Sequence, residues 1–176
     1  DLVLSNSRIE NMSNFGLIAF TSDLYAYNTL INNCGQYVLA NLAGGNYRYE
    51  HCTFANFSFD FFREDAAVAF SDNLPISADE ILVGDFQLQM INSIVWGSMK
   101  EEIIFSNAGE QLFELNLSNN IFKSTDALIS GINTFLNDDP KFLDPRNYHY
   151  SLDTLSIAKD AGISLGIVRD LEGTPR

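Results

Sequence analysis

Leu24-Tyr-Ala-Tyr-Asn28 and Tyr47-Arg-Tyr-Glu-His51 share one pattern: an apolar or aromatic side chain at the first and third places, and Asn or its substitute His at the fifth. Leu2-Val-Leu-Ser-Asn6, Leu88-Gln-Met-Ile-Asn92 and Leu115-Asn-Leu-Ser-Asn119 repeat it, with Ala26 counted as apolar. Three residues past each fifth place stands another apolar side chain: Ile9, Ile31, Phe54, Val95 and Phe122. Alternation over three residues is the period-two signature of a strand. The fifth places are separated by 22, 23, 41 and 27 residues, so a coil of about 22 residues is repeated, once with an insertion of 19. A further apolar stretch falls between copies at Leu17 to Phe20, Tyr37 to Leu39 and Ile103 to Phe105. A short strand recurring at this period, with other strands between, predicts an all-β fold: a right-handed, single-stranded parallel β-helix, or solenoid.

Two rival repeat architectures fit less well. The leucine-rich repeat has an overlapping period, but only Leu112, Leu115, Leu117, Asn120 and Phe122 satisfy it; the other copies place Ser7, Thr29, Cys52 and Ser93 where it needs Asn. Helical repeats fail because no segment sustains a 3.6-residue apolar period between capping residues. Asn at a repeated corner has a mechanism. Its amide donates and accepts along a stack, and it tolerates the left-handed backbone of a sharp turn. Asn6, Asn28, His51, Asn92 and Asn119 are therefore expected to form a structural ladder.

The composition narrows the function. Hydrophobic residues make up 46% of the 176 and charged ones 19%, enough for a core and unlike a disordered chain. The net charge of −13 repels phosphate backbones, so no nucleic-acid partner is expected. No apolar run approaches a membrane span, which leaves membrane attachment only to an anchor outside this sequence. Cys34 and Cys52 lack the spacing of a zinc site and occupy different places in the repeat, so they are not expected to bridge.

Residues 1–123 read as coils with an insertion at 58–85. In it Phe57 to Phe70 suggests a strand pair, Asp72 to Pro75 a turn, and Ser77 to Asp85 an acidic return. The template fades after Phe122. Residues 124–176, with Pro140, Pro145 and Pro175, read as an irregular C-terminal segment capping the open solenoid end. The N-terminal end at Leu2 has no comparable cover, and the expectation is that the native protein continues upstream.

The tail carries a resemblance. Asn137-Asp-Asp-Pro-Lys-Phe-Leu-Asp-Pro145, Tyr148-His-Tyr-Ser-Leu152, Ala161-Gly162 and Asp170-Leu-Glu-Gly-Thr-Pro-Arg176 resemble the C-terminal signature of bacterial cell-surface β-helix repeat proteins, roughly D-P-x-F-x-D-P, D-[YF]-x-L, S-P-A-I-D-A-G and D-x-x-G-x-P-R. Asn92-Ser-Ile-Val-Trp96-Gly97 and Cys52-Thr-Phe-Ala-Asn56 look like that family's coils. The tail departs at Ser156-Ile-Ala-Lys-Asp-Ala-Gly162, which lacks the usual proline, and the customary closing segment is missing. The resemblance implies an exported, often lipid-anchored protein at the outer surface of gut-type bacteria, and supplies no catalytic residue.

Parallel β-helices also include enzymes that cleave acidic polysaccharides, so a polysaccharide lyase or glycoside hydrolase is the alternative function. Of the polygalacturonase-type motifs only Asp138-Asp139 occurs, and it lies in the tail. Asp60, Arg63, Glu64 and Asp65 form the best acid-and-base set for a lyase. Asp138, Asp139 and Asp144 have oxygens enough for calcium, although Asn-Asp-Asp-Pro is also a plain turn. No phosphate loop or nucleophile motif is present, and neither a cofactor nor a metal is expected. The binding reading has a better motive. Tyr25, Tyr27, Arg48 and Glu50 occupy the outward second and fourth places of adjacent coils, where aromatic faces beside charged groups suit a polysaccharide or a surface protein. The function expected is thus a non-catalytic exported scaffold or binding module.

Overall fold

The computed structural model describes residues 1–59, 61–126, 129 and 131–176. Among them the chain is all-β: it has no α-helix, and a 3-10 turn forms at Pro145–Asn147. Most strands lie in two parallel sheets. The first runs in the order β1 (Leu2–Ser5), β3 (Leu17–Tyr27), β5 (Leu39–Glu50), β10 (Phe86–Ile91) and β13 (Phe113–Ser118). β7 (Val68–Ser71) branches from the front of β5 and pairs in turn with β12 (Ile103–Ser106). The second sheet runs β2 (Arg8–Glu10), β4 (Leu30–Asn32), β6 (Thr53–Asn56), β11 (Ile94–Gly97), β14 (Ile121–Phe122) and β15 (Phe135–Leu136).

The five copies of the pattern lie side by side without slippage. Leu2 pairs with Leu24, Leu24 with Tyr47, Tyr47 with Leu88 and Leu88 with Leu115. The apolar residue past the corner does the same: Ile9, Ile31, Phe54, Val95 and Phe122 are successive partners, and Leu136 follows them. Register is held because a one-residue slip would turn every inward side chain out to solvent. Tyr47, Tyr49, Phe54, Phe70, Phe86, Met90 and Phe122 are fully buried between the sheets. The Tyr49 and Phe54 rings meet edge to face at 5.3 Å, a contact worth about 1 kcal/mol beyond its area. The buried Tyr49 hydroxyl is satisfied by exchanging hydrogen bonds with the Asn41 amide.

Asn6, Asn28, His51, Asn92 and Asn119 all have φ between +48° and +55°. Left-handed backbone there turns the chain from the first sheet into the second, and asparagine tolerates it best among the non-glycine residues. A second corner, between the front and rear halves of β5, uses Gly45 at φ +124°. A Cβ at Gly45 would lie 2.5 Å from the Tyr47 hydroxyl, so both backbone and space demand glycine.

The insertion folds differently from the sequence expectation. Among the described residues of 57–70 no strand pair forms; the strand found there is β7, which belongs to the first sheet. The antiparallel pair is β8 (Asn73–Pro75) with β9 (Ile81–Val83), so Asp72 to Pro75 is not the turn. Asp72 is fully buried, and its carboxylate accepts from Asn73 Nδ2 and the Ala108 N–H, which makes it an anchor. Pro75 is tolerated in a two-stranded edge where no further neighbour needs its missing N–H.

The C-terminal segment also differs. Parallel pairing continues beyond residue 123 into β15, and β16 (Phe142–Asp144) pairs antiparallel with β17 (His149–Leu152). This pair and the chain after it pack on the outer flank of the second sheet. Phe142, Tyr150 and Leu171 cover Leu30 and Ala55, while Phe135, Phe142 and Ala158 cover Ile94, Trp96 and Ile121. The physical reason is the sheet itself: its outward residues are apolar and need burial as much as its inward ones.

Candidate functional site

Tyr25, Tyr27, Arg48 and Glu50 come together on the outer face of the first sheet. Tyr25 pairs with Arg48 and Tyr27 with Glu50 across β3 and β5. The two tyrosine rings lie 5.2 Å apart with a tilt of 34°, and the Arg48 guanidinium sits 4.8 Å from the Tyr25 ring centre. One correction is needed: Glu50 does not face solvent but is 2% exposed. Arg48 and Tyr25 fold over it. Tyr25 donates its hydroxyl to Glu50 Oε2 at 2.6 Å, and Arg48 donates from Nε at 2.8 Å and from Nη2 to Oε1. Three charge-assisted donors compensate the carboxylate's burial. Burial and the bond to Glu50 push the Tyr25 phenol up to about 12. Gln89 and Asn116 extend the face in register beyond Arg48.

The corner row is a different surface. Asn28 Nδ2 donates to Asn6 Oδ1 at 2.7 Å, and Asn92 Nδ2 lies 3.0 Å from His51 Nε2. An amide nitrogen only donates, so that imidazole nitrogen accepts and the ring carries its proton on Nδ1. Among the described residues the expected ladder is not continuous: no side-chain bond links Asn28 to His51, or Asn92 to Asn119, which turns to the Ala161 carbonyl instead. Asn28 Oδ1 accepts instead from Arg176 Nη2 at 2.7 Å. Burial, then the Arg176 charge, hold His51 down at about 4.

The chain from 158 to 176 runs as a strap along these corners in reverse coil order. Asn119 Nδ2 donates to the Ala161 carbonyl at 3.0 Å. Asn92 reads Ile163 twice, accepting its N–H at 3.0 Å and donating to its carbonyl at 2.7 Å. Asn28 Nδ2 donates to the Arg169 carbonyl at 3.3 Å, and Glu172 pairs with Arg8 at 3.3 Å. Between strap and sheet lies a cleft of about 900 Å³, lined by His51, Thr53, Asn92 and Ser164 to Val168. No single-residue motif announces the strap. The signal was the run of apolar residues on both faces of the second-sheet strands, Leu30-Ile31, Ile94-Val-Trp96 and Ile121-Phe122, which requires an outer cover.

The acid-and-base set of the insertion is not assembled as an exposed site. Asp60 lies outside the described residues. Arg63 is buried in a bidentate ion pair, with Nη1 and Nη2 each 2.8 Å from a Glu102 oxygen. Its remaining donors reach the Asp65 and Asn56 carbonyls and Ser58 Oγ. Glu102 also accepts from the Ala67 and Met99 N–H groups. This pair ties the 57–66 loop to the turn before β12, and Arg63 has no free position from which to take a substrate proton.

The calcium candidates are engaged locally: Asp139 Oδ1 accepts from the Lys141 N–H, and Asp144 accepts from Asn147. Among the described residues no three His, Cys, Asp or Glu side chains converge as a metal site. Both cysteines are free and buried. Compared with known proteins, the chain matches no family model, no curated relative and no solved structure.

Proposed function

We propose that the chain is a stretch of right-handed parallel β-helix that serves as a non-catalytic, exported surface scaffold and binds a glycan on the outer face of its first sheet. The helix reading is supported by five copies in unslipped parallel register, each turning through a left-handed corner. Export to a bacterial surface rests on the resemblance of the tail to β-helix surface proteins.

The observation that carries the binding reading is the Tyr25–Tyr27 aromatic pair, fixed beside Arg48 and continued by Gln89 and Asn116. A sugar ring has an apolar face and polar edges, and aromatic rings beside fixed hydrogen-bonding groups complement both. The strand spacing of about 4.8 Å offers an extended chain a periodic surface across the coils. The Glu50 bonds hold Tyr25 and Arg48 in place beforehand, which lowers the ordering cost of binding.

A glycan array with the full chain tests this, followed by calorimetry on any hit with Tyr27→Ala and Arg48→Ala. Binding weakened about tenfold or more by either change supports the face. Binding unaffected by both places the ligand elsewhere, and release of unsaturated or shortened sugars contradicts the non-catalytic reading.

A further inference from the structure

We propose that the strap of residues 158–176 is a pH-sensitive latch governed by His51, which lies beneath it between the corners that hold it. A neutral imidazole accepts from Asn92 and tolerates the Arg176 guanidinium beside it; a protonated imidazole does neither. Every other corner of the row has asparagine, whose amide does not titrate, and the strap is fastened at the corners on both sides of the histidine: at Asn92, which also donates to His51, and at Asn28, where the strap's arginine enters. From Asn92 to Asn28 the corners span two strand spacings, about 10 Å, while the six residue steps from Ile163 to Arg169 reach up to about 20 Å. The strap therefore bows outward over His51, with Val168 exposed and Gly166 at φ +80°. It is anchored at both sides of the bow and not above the imidazole.

The charges around His51 are few. Its own strand contributes Glu50, whose carboxylate is held by Arg48 and Tyr25. The strap contributes Arg176, Asp170, Lys159 and Asp160, and the first coil contributes Arg8, which is paired with Glu172. Asn28 and Asn92, the neighbouring corners, bring no charge.

With the strap seated, His51 binds its proton only near pH 4, whereas an unperturbed imidazole binds at about 6.5. The open form thus takes up the proton first. The latch is fully closed above about 6.5 and loosens as pH falls toward 4, by up to about tenfold in its opening equilibrium per unit.

The test is amide hydrogen exchange at Ile163 and Arg176 in the full chain at pH 6.5 and 5, corrected for intrinsic rates, in the native protein and in His51→Asn. Protection should fall about tenfold in the native protein and change little in His51→Asn. No fall in the native protein, or an equal fall in the variant, overturns the latch. If His51→Asn does not fold, the imidazole titration followed by NMR in the native protein and Arg176→Ala decides. A midpoint that rises in Arg176→Ala supports the proposal, and one that is unchanged, or near 6.5 from the start, overturns it.

Discussion

Arg63 and Glu102 form a bidentate ion pair with no exposed side-chain surface on either partner. Thirty-nine residues apart in sequence, they fasten the loop after β6 to the turn that precedes β12. Removing one partner leaves a buried uncompensated charge, at a cost of about 3–5 kcal/mol. Arg63→Ala is therefore expected to lower the denaturation midpoint sharply, and Arg63→Met combined with Glu102→Leu to recover much of the loss. Equal loss in the single and double variants would show that the pair is not coupled.

The corner amide Asn28 is fully buried and donates to Asn6 and Arg169 while accepting from Arg176. Asn28→Ala strands these partners and places alanine at φ +48°. Its cost should be about 2–3 kcal/mol, against a few tenths for Asn46→Ala on the exposed part of β5. Chemical denaturation of both variants checks this, and equal midpoints would remove the structural role of the corner row.

That row was legible because corners recur at one period and asparagine suits their backbone. The strand rows were legible for the same reason, since Leu24, Tyr47, Leu88 and Leu115 keep one phase. Glu50 was not. Alternation alone points it outward, and only the Tyr25 hydroxyl and Arg48 folding over it bury the carboxylate. Arg63–Glu102 and the strap depend on contacts between residues far apart in sequence, for which a single chain offers no periodic signal. The apolar outward residues Leu30, Ile94 and Ile121 did signal a cover, without saying which segment supplies it.

Tyr25 gives a titration test. Its phenol is raised to about 12 in the folded chain, against about 10 for an unperturbed tyrosine. A raised acid favours the folded state fully below the lower value and loses that contribution as pH climbs from 10 to 12. Burial raises other phenols too, Tyr49 and Tyr150 among them, so phenolate absorbance of Tyr25→Phe should lack one of the late-titrating groups that the native protein shows. An unchanged titration in the variant would show that the bond to Glu50 does not shift the phenol.

The thiols of Cys34 and Cys52 are pushed by burial up to about 11 and about 12. Thiolate is the reactive form, so neither should react with a disulfide reagent at neutral pH until the chain unfolds. Two thiols released together with the loss of strand circular dichroism is the expected result. Rapid reaction of either in the native state would contradict the packing around the second sheet.

The five copies stack in one parallel register, and interstrand nuclear Overhauser contacts measure that stacking most directly. Parallel pairing in the described register predicts backbone contacts linking Val3 to Tyr25, Tyr25 to Arg48, Arg48 to Gln89 and Gln89 to Asn116. A continuous chain of these four contacts is the predicted result; antiparallel contact patterns, or partners displaced by even one residue, would contradict it.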